Sequence, residues 1–446
     1  MSTGPAGKDS AGEGLLRVPG PVNAHSHAFH RILRGRTHEG EAGGAGTFWT
    51  WRDQMYAAAQ RLDPAGYEQL ATAVFAEMVV SGWTAVGEFH YLHHGPDGVP
   101  YGAAGSAAGN WSGHAMERAL ARAAKAAGIR LVLLDTCYLR GGLDASGAPL
   151  PLNPTQARFT DGDAAGWLER LASLRAALDE ENGVGEGSGK GLVSLGAAIH
   201  SVRAVGEEDL AAIAAGLDDV LGPGVSGDGA PLHVHLSEQP AENAACLAAT
   251  GTTPTGLLAR HGLLSPRLSA VHATHLTGED IAALGAARAT VVMCPTTEAD
   301  LADGIGPARE LADAGAVIAL GSDQHAVVDP YLEMRALEHG ERLRTGIRGR
   351  FAPAELAAAA RKGGLRSLGL FSTDGLPSND DHLLVRTGSV RTAGARPAQL
   401  PLAATAADVA AVVVNGVTVA RDGIHTRLGD PAELYAAFLA EHPEFA

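Results

Sequence analysis

The sequence is poor in cysteine: 446 residues hold 3, Cys137, Cys246 and Cys294, each far from the others. An odd, sparse count argues against a disulfide framework and for a reducing cytoplasm. There is no long basic run, and the net charge is −16, so nucleic acid is not an expected partner. No apolar run approaches the roughly 20 residues that span a bilayer, so no membrane segment is expected. Met1 to Gly14 is rich in Gly, Ser and Ala and lacks a hydrophobic h-region, so it reads as a disordered tail without a signal peptide. The acidic balance does not favour an anionic substrate. If one binds, local arginines must override the global field.

What is present is apolar surface and rhythm. The hydrophobic fraction of 46% allows a large core. The length fits one α/β barrel of about 250 residues or more plus an appendage. Short β-branched runs alternate with Ala-rich helical runs. Strands are expected at Thr84–His90, Arg130–Tyr138, Leu192–His200, Leu232–Leu236, Leu268–His275, Thr290–Met293 and Ala316–Leu320. The apolar lead Leu15, Leu16, Val18, Val22 adds an opening strand, which makes eight. Helices are expected at Pro64–Val80, Ala115–Ala127, Trp167–Leu178, Glu207–Leu221, Pro307–Ala314 and Pro353–Leu370. Eight strand–helix repeats argue for a closed (β/α)8 barrel. Arg31 to Phe48 and Glu181–Lys190 read as Gly-rich loops, the first ending in the aromatic cluster Phe48-Trp49-Thr50-Trp51-Arg52, placed to wall a pocket. Further on, Leu383–Val385, Val409–Val414 and Val417–Ala420 are short strands, and Asn415-Gly416 signals a hairpin. A helix at Pro431–Leu439 finishes this small β appendage. The expected organisation is a tail and appendage remnant over residues 1–20, a barrel over 21–375, and a β-sandwich-like appendage with its helix over 376–446.

The polar residues fall at strand ends. Asn23-Ala24-His25-Ser26-His27 closes the first strand, and alternation puts His25 and His27 on one face, a ready pair of metal ligands. Glu88 and His90 end the second strand, and His200 the fourth, with Arg203 just beyond. His233, His235 and Glu238 end the fifth, His272 and His275 the sixth, and Asp323 and His325 follow the eighth. In an α/β barrel all these ends open onto one face, where active sites sit. Each residue taken singly reads equally well as a satisfied core or rim group; together they read as a site.

The segments NAHSHAFHR, FWTWRDQMY, EFHYLHH, IHSVRAV, HVHLSEQ, VHATHL, CPTTEADLADGI and GSDQH resemble the amidohydrolase superfamily and, within it, the formiminoglutamate deiminases of histidine degradation. The resemblance runs from about Pro21 onward. It implies one Zn2+ per subunit held by His25, His27, His235 and Asp323. It implies catalytic roles for Glu238 as proton shuttle, for His272 in orienting water and stabilising charge, and for Asp323 as acceptor of the water proton. Arg52 and Arg203 match the family's carboxylate-binding arginines, and Tyr101 and His200 look like further substrate contacts. The implied substrate is a small dicarboxylate amidine, and the implied assembly a homodimer. Deamination of another amidine, guanidine or ring C=N compound is the alternative; a non-catalytic barrel scaffold is a remote one. His90, His93 and His94 read as outer residues rather than a second metal cluster, and Cys294 as a buried structural thiol.

Three features depart from the resemblance. His30 stands where the family has a substrate-contacting Gln, and Gln324 where it has Ser. Fewer residues precede the first strand than in relatives with a longer β-rich segment, which implies an incomplete appendage or a late start.

Overall fold

The computed structural model of the chain describes residues 14–38, 46–103, 111–182, 191–222, 229–371 and 380–446. The strands in chain order are β1 (Leu15–Pro19), β2 (Val22–Ser26), β3 (Ala85–His90), β4 (Arg130–Cys137), β5 (Gly142–Leu143), β6 (Pro149–Leu150), β7 (Val193–Ile199), β8 (Leu232–Leu236), β9 (Leu268–His272), β10 (Thr290–Met293), β11 (Val317–Leu320), β12 (His382–Arg386), β13 (Val409–Val414), β14 (Val417–Arg421) and β15 (Ile424–His425). Eight of them form one sheet in the order β11-β10-β9-β8-β7-β4-β3-β2. All seven pairings are parallel. The open edges meet where Ser26 bridges Asp323 in parallel, so the sheet closes into a barrel. Helices intervene between the strands, as parallel neighbours require.

Local chemistry sets the helix ends. Pro64–Ser81 starts on Asp63, whose carboxylate accepts from Gly66 N–H, with Pro64 in the first turn, and it stops at Gly82 in a left-handed conformation (φ 110°). A helix also spans Phe48–Arg61, opened by a capping box between Thr47 and Thr50. The aromatic cluster therefore lies on a helix, not at the end of a loop. The expected helix Pro353–Leu370 is broken by a π-helical turn at Ala359–Gly363. There Gly363 packs so tightly on β11 that a Cβ would sit 1.9 Å from the Ile318 carbonyl oxygen.

The opening apolar lead splits in two. Val22–Ser26 enters the barrel, whereas Leu15–Pro19 pairs antiparallel with β12 in a separate five-stranded sheet, β1-β12-β13-β14-β15. Asn415 and Gly416 both take positive φ (51° and 77°), the turn that joins β13 to β14. The helix Pro431–Glu441 follows this sheet. The expected tail, apart from Gly14, and the expected boundary at 375/376 lie outside the described residues, as does most of the Glu181–Lys190 loop; Glu181 and Asn182 end the helix Ala164–Asn182. Among the described residues no helix is long and apolar enough to cross a membrane.

Candidate active site

Barrel closure builds the site. Across the seam Asp323 N–H donates to the His25 carbonyl (3.0 Å) and His27 N–H to the Asp323 carbonyl (3.1 Å). Asn23 locks the same seam: its Nδ2 donates to Ser322 Oγ (2.7 Å) and its Oδ1 accepts from Ser322 N–H (2.9 Å). His25, His27 and Asp323, distant in sequence, become neighbours.

The tautomers follow from backbone carbonyls, which only accept. His27 Nδ1 donates to Phe89 O (2.9 Å) and His235 Nδ1 to His200 O (3.0 Å), so both Nε2 atoms present lone pairs. Those lone pairs converge. His27 Nε2 lies 3.4 Å from His235 Nε2, which lies 3.2 Å from His25 Nε2. Asp323 Oδ1 is 3.4 Å from His25 Nε2 and 3.5 Å from His27 Nε2. Bare lone pairs have no reason to crowd in this way. Ligands about 2.0–2.1 Å from one ion at tetrahedral angles lie about 3.3–3.4 Å apart, and these four separations of 3.2–3.5 Å suit nitrogen and oxygen ligands that share an ion. Burial pushes His27 and His235 well below the ordinary histidine value and lowers His25, which keeps the rings neutral as ligands must be. Burial raises the Asp323 carboxyl, but its closeness to the His25 ring and the charge of His272 outweigh it and hold the group at about 2.

Three further groups face this cluster. His272 Nε2 sits between Glu238 Oε1 (3.6 Å) and Asp323 Oδ2 (3.7 Å), while its Nδ1 faces Glu298 Oε1 (3.4 Å). Burial would lower the His272 value, yet Glu238, Glu298 and Asp323 pull it up to about 10. Glu238 is raised by burial, with His272 and Arg203 opposing. Both His272 (φ 68°) and Asp323 (φ 43°) hold left-handed backbone conformations, a strain of about 1–3 kcal/mol each that aims their side chains.

The cluster opens into a cavity of about 700 Å³, its solvent mouth included, whose lining joins His27, His235, Glu238, His272 and Asp323 to His30, Arg52, Tyr91, His200 and Arg203. The Arg52 guanidinium lies 4.5 Å above the Trp49 ring, its Nε is without a hydrogen-bond partner, and no carboxylate pairs with it among the described residues. Arg203 is 4.0 Å from Glu238 Oε2 and 3.7 Å from Glu242 Oε1. His30 Nε2 meets the Tyr91 hydroxyl at 3.1 Å, its buried Nδ1 has no partner, and burial takes it down to about 3, so the ring is neutral.

Tyr101 stands apart. Its hydroxyl accepts from Arg158 Nη2 (3.2 Å), and the cavity lining does not include it. Three other tyrosines line the cavity, Tyr56, Tyr91 and Tyr138, and Tyr91 stands next to the end of β3. Tyr91 lies within EFHYLHH, where nothing in the sequence sets it apart from the histidines around it. His233 points one layer down the barrel from His235 and donates to Ser367 O (2.9 Å), and His275 bonds Asp303 O (2.8 Å). His93 meets Glu117 (2.9 Å) and the Thr136 carbonyl (2.9 Å), and His94 meets Asp161 (3.0 Å), in a buried charged layer between barrel and helices. His90, His93 and Glu117 also bring donor atoms within 4.8 Å of one another, away from the cavity. Gln324 Nε2 is bonded to Asp300 (2.7 Å). Cys294 is buried, and burial pushes its thiol well above the ordinary value, which suits packing rather than nucleophilic attack.

The model of the amidohydrolase family matches residues 16–376. The chain belongs to the amidohydrolase family. It is 36% identical over 360 residues to a formimidoylglutamate deiminase of Pseudomonas aeruginosa, covering 79% of this chain and 72% of that one. It is 28% identical over 436 residues to an 8-oxoguanine deaminase of the same organism, covering 95% and 85%. Among solved structures, an amidohydrolase from Brucella melitensis superposes with a TM-score of 0.79 at 30% identity, covering 96% of this chain and 89% of that one. As a family member the chain is a hydrolase of the amidohydrolase and deaminase kind, built on the same barrel.

Proposed function

We propose that this amidohydrolase hydrolyses N-formimino-L-glutamate to N-formyl-L-glutamate and ammonia. The observation that carries the reading is that Arg52 and Arg203 line the same cavity as His27, His235 and Asp323. A substrate with two carboxylates needs two cations, and guanidinium suits the task through its planar fork. The likeness to a formimidoylglutamate deiminase over 72% of its length supports the same reading.

His25, His27, His235 and Asp323 would hold the metal, zinc by ligand type. Such an ion polarises water and lowers its pKa to about 7. The chain's own groups do the rest. Asp323 and Glu238 flank His272: Glu238 accepts one water proton as the oxygen attacks the amidine carbon, and Asp323 accepts the other as the adduct collapses and its C–O(H) becomes C=O. That carbon is electrophilic when the formimino nitrogen is protonated, and His272 stabilises the charge that develops. The adduct is tetrahedral, with water oxygen and the terminal nitrogen on one carbon. Glu238 then returns the proton to that nitrogen, the C–N bond breaks, and ammonia leaves an N-formyl group. Acid–base help of this kind is worth about 10²–10⁴-fold, and the raised Glu238 value is suited to a group that must give its proton back.

A ring C=N deaminase is the second reading, favoured by the likeness to an 8-oxoguanine deaminase over nearly the whole chain. A neutral base has little use for Arg52 and Arg203 together. Ammonia release by zinc-loaded protein decides between them, with N-formimino-L-glutamate, N-formimino-L-aspartate, guanidino acids and 8-oxoguanine as substrates. Turnover of the glutamate compound alone supports the proposal. Turnover only of another substrate removes it.

A further inference from the structure

Gln156 opens a short helical turn, Gln156–Phe159, and is almost fully buried, 3% exposed. Its orientation is fixed by chemistry. Its Oε1 receives the Asn153 backbone N–H at 2.9 Å, and an N–H only donates, so that end of the amide is the oxygen. The NH2 end therefore faces the Tyr138 hydroxyl at 2.7 Å and the Tyr56 hydroxyl at 3.0 Å, with the Gly141 carbonyl farther away at 3.4 Å. Two hydrogens meet two phenolic oxygens, so both tyrosines accept from Gln156.

An accepting hydroxyl must send its own hydrogen elsewhere. The two hydroxyl oxygens are 3.5 Å apart, the outer edge of hydrogen bonding, so at most one donates to the other. At least one O–H is left to point into the cavity that both tyrosines line. Burial raises Tyr138 well above the ordinary tyrosine value, so it stays a donor. Ring contacts step outward from the donor cluster, His27 to Tyr91 at 5.4 Å and Tyr91 to Tyr138 at 6.4 Å. The Arg52 guanidinium lies 5.7 Å over the Tyr56 ring, and the Tyr138 ring is 4.4 Å from His200.

We propose that Tyr56 and Tyr138, turned toward the cavity by Gln156, form a two-hydroxyl seat for a substrate carboxylate beside Arg52 and Arg203, with Gln156 as the positioning residue. The seat deepens the dicarboxylate reading of the pocket and rests on it. Its logic is one-way donation. Asn153 fixes Gln156, Gln156 fills the tyrosine lone pairs, and only donors are left to face the ligand. An anion is accepted and a donor-rich neutral base is not.

The test uses the metal-loaded full chain and glutarate, a five-carbon dicarboxylate without an amidine, so binding is read by calorimetry whether or not any formimino compound turns over. Tyr138→Phe and Tyr56→Phe are each expected to weaken glutarate about tenfold, and the double variant about 100-fold. Gln156→Leu is expected to weaken it about tenfold in the wild-type background and to add nothing once both tyrosines are Phe, because it acts through them. With N-formimino-L-glutamate the same variants should raise KM by these factors and leave kcat within about threefold. Should Gln156→Leu fail to fold, the closely matched Gln156→Met takes its place. Unchanged glutarate affinity in the double Phe variant, or no glutarate binding by the wild type, overturns the seat. A further loss from the Gln156 change in the double Phe background overturns its positioning role. Failure to release ammonia from N-formimino-L-glutamate, with glutarate bound as described, would instead remove the proposed reaction and leave the seat standing.

Discussion

The backbone N–H of Asp323 donates to the carbonyl of His25 at 3.0 Å, so the hydrogen bond that shuts the barrel also sets two of the four converging donors beside each other. Closure and the candidate metal centre are one piece of structure. Asn23→Ala would remove two side-chain hydrogen bonds to Ser322 across the seam and leave the Ser322 N–H with the His25 carbonyl alone (3.1 Å). The expected cost is about 2–4 kcal/mol in urea unfolding, together with roughly 10–100-fold weaker metal binding by competitive chelation. A variant with wild-type stability and metal affinity would show that the seam does not depend on Asn23.

Metal should stabilise the fold by mass action. At a free concentration of about 100 times Kd, zinc should add about 2.7 kcal/mol and raise the Tm; a chelator should reverse this. His27→Ala should abolish the Tm response and the stoichiometric metal. A response that survives this change would place the metal elsewhere, and the buried His90, His93 and Glu117 group would then be the first to examine.

The two arginines should not behave alike. Arg52 stacks on Trp49 and has no carboxylate partner among the described residues, so Arg52→Ala should raise KM for N-formimino-L-glutamate about 10–100-fold and leave kcat within a few-fold. Arg203 sits within 4.0 Å of Glu238, so Arg203→Ala should raise KM, spare metal content and also lower kcat. Equal kinetics in either variant would remove its assigned role.

Acid should unfold the protein partly through Asp161. Burial raises this carboxyl, but the hydrogen bond from His94 and the Arg170 charge outweigh it and bring it below the ordinary carboxylate range. A group depressed in the folded state stabilises above its unfolded value and loses that contribution as pH falls. Asp161→Asn should therefore cost about 1–3 kcal/mol at neutral pH. The gap from wild type should persist down to about pH 4 and close below it. A gap that stays constant on acidification would mean that Asp161 contributes by packing alone.

The barrel strands were readable because a parallel strand buried on both faces is written as a short β-branched run. The strand at Thr290–Met293 and the helices Ala115–Ala127 and Glu207–Leu221 lie where the pattern puts them. Leu15–Pro19 reads both as the lead into the opening barrel strand and as part of the appendage remnant over 1–20, because apolar alternation does not say which sheet a strand joins; pairing with His382–Arg386 does. The helix at Phe48–Arg61 was missed because its aromatic first turn looked like a loop wall, although Thr47 and Thr50 carry the capping box that starts it. In the candidate site, the strand-end rule gathers His25, His27, His235, His272 and Asp323. It does not say which tyrosine of the connection after β3 lines the cavity: Tyr91 does and Tyr101 does not. Gln156 was invisible, since its importance lies in a flip state that a single backbone N–H decides.

The seam between Asn23 and Ser322 joins residues 299 positions apart. Translation runs from one end to the other, so His25 and His27 leave the ribosome early and wait for Asp323 until nearly three-quarters of the chain has emerged. A prematurely terminated product offers the ion an incomplete set of donors and an open sheet edge. With the proposed ligand set, ion capture would report that synthesis has passed the eighth barrel strand, and a fragment that stops short would be marked in the cell by weaker metal retention.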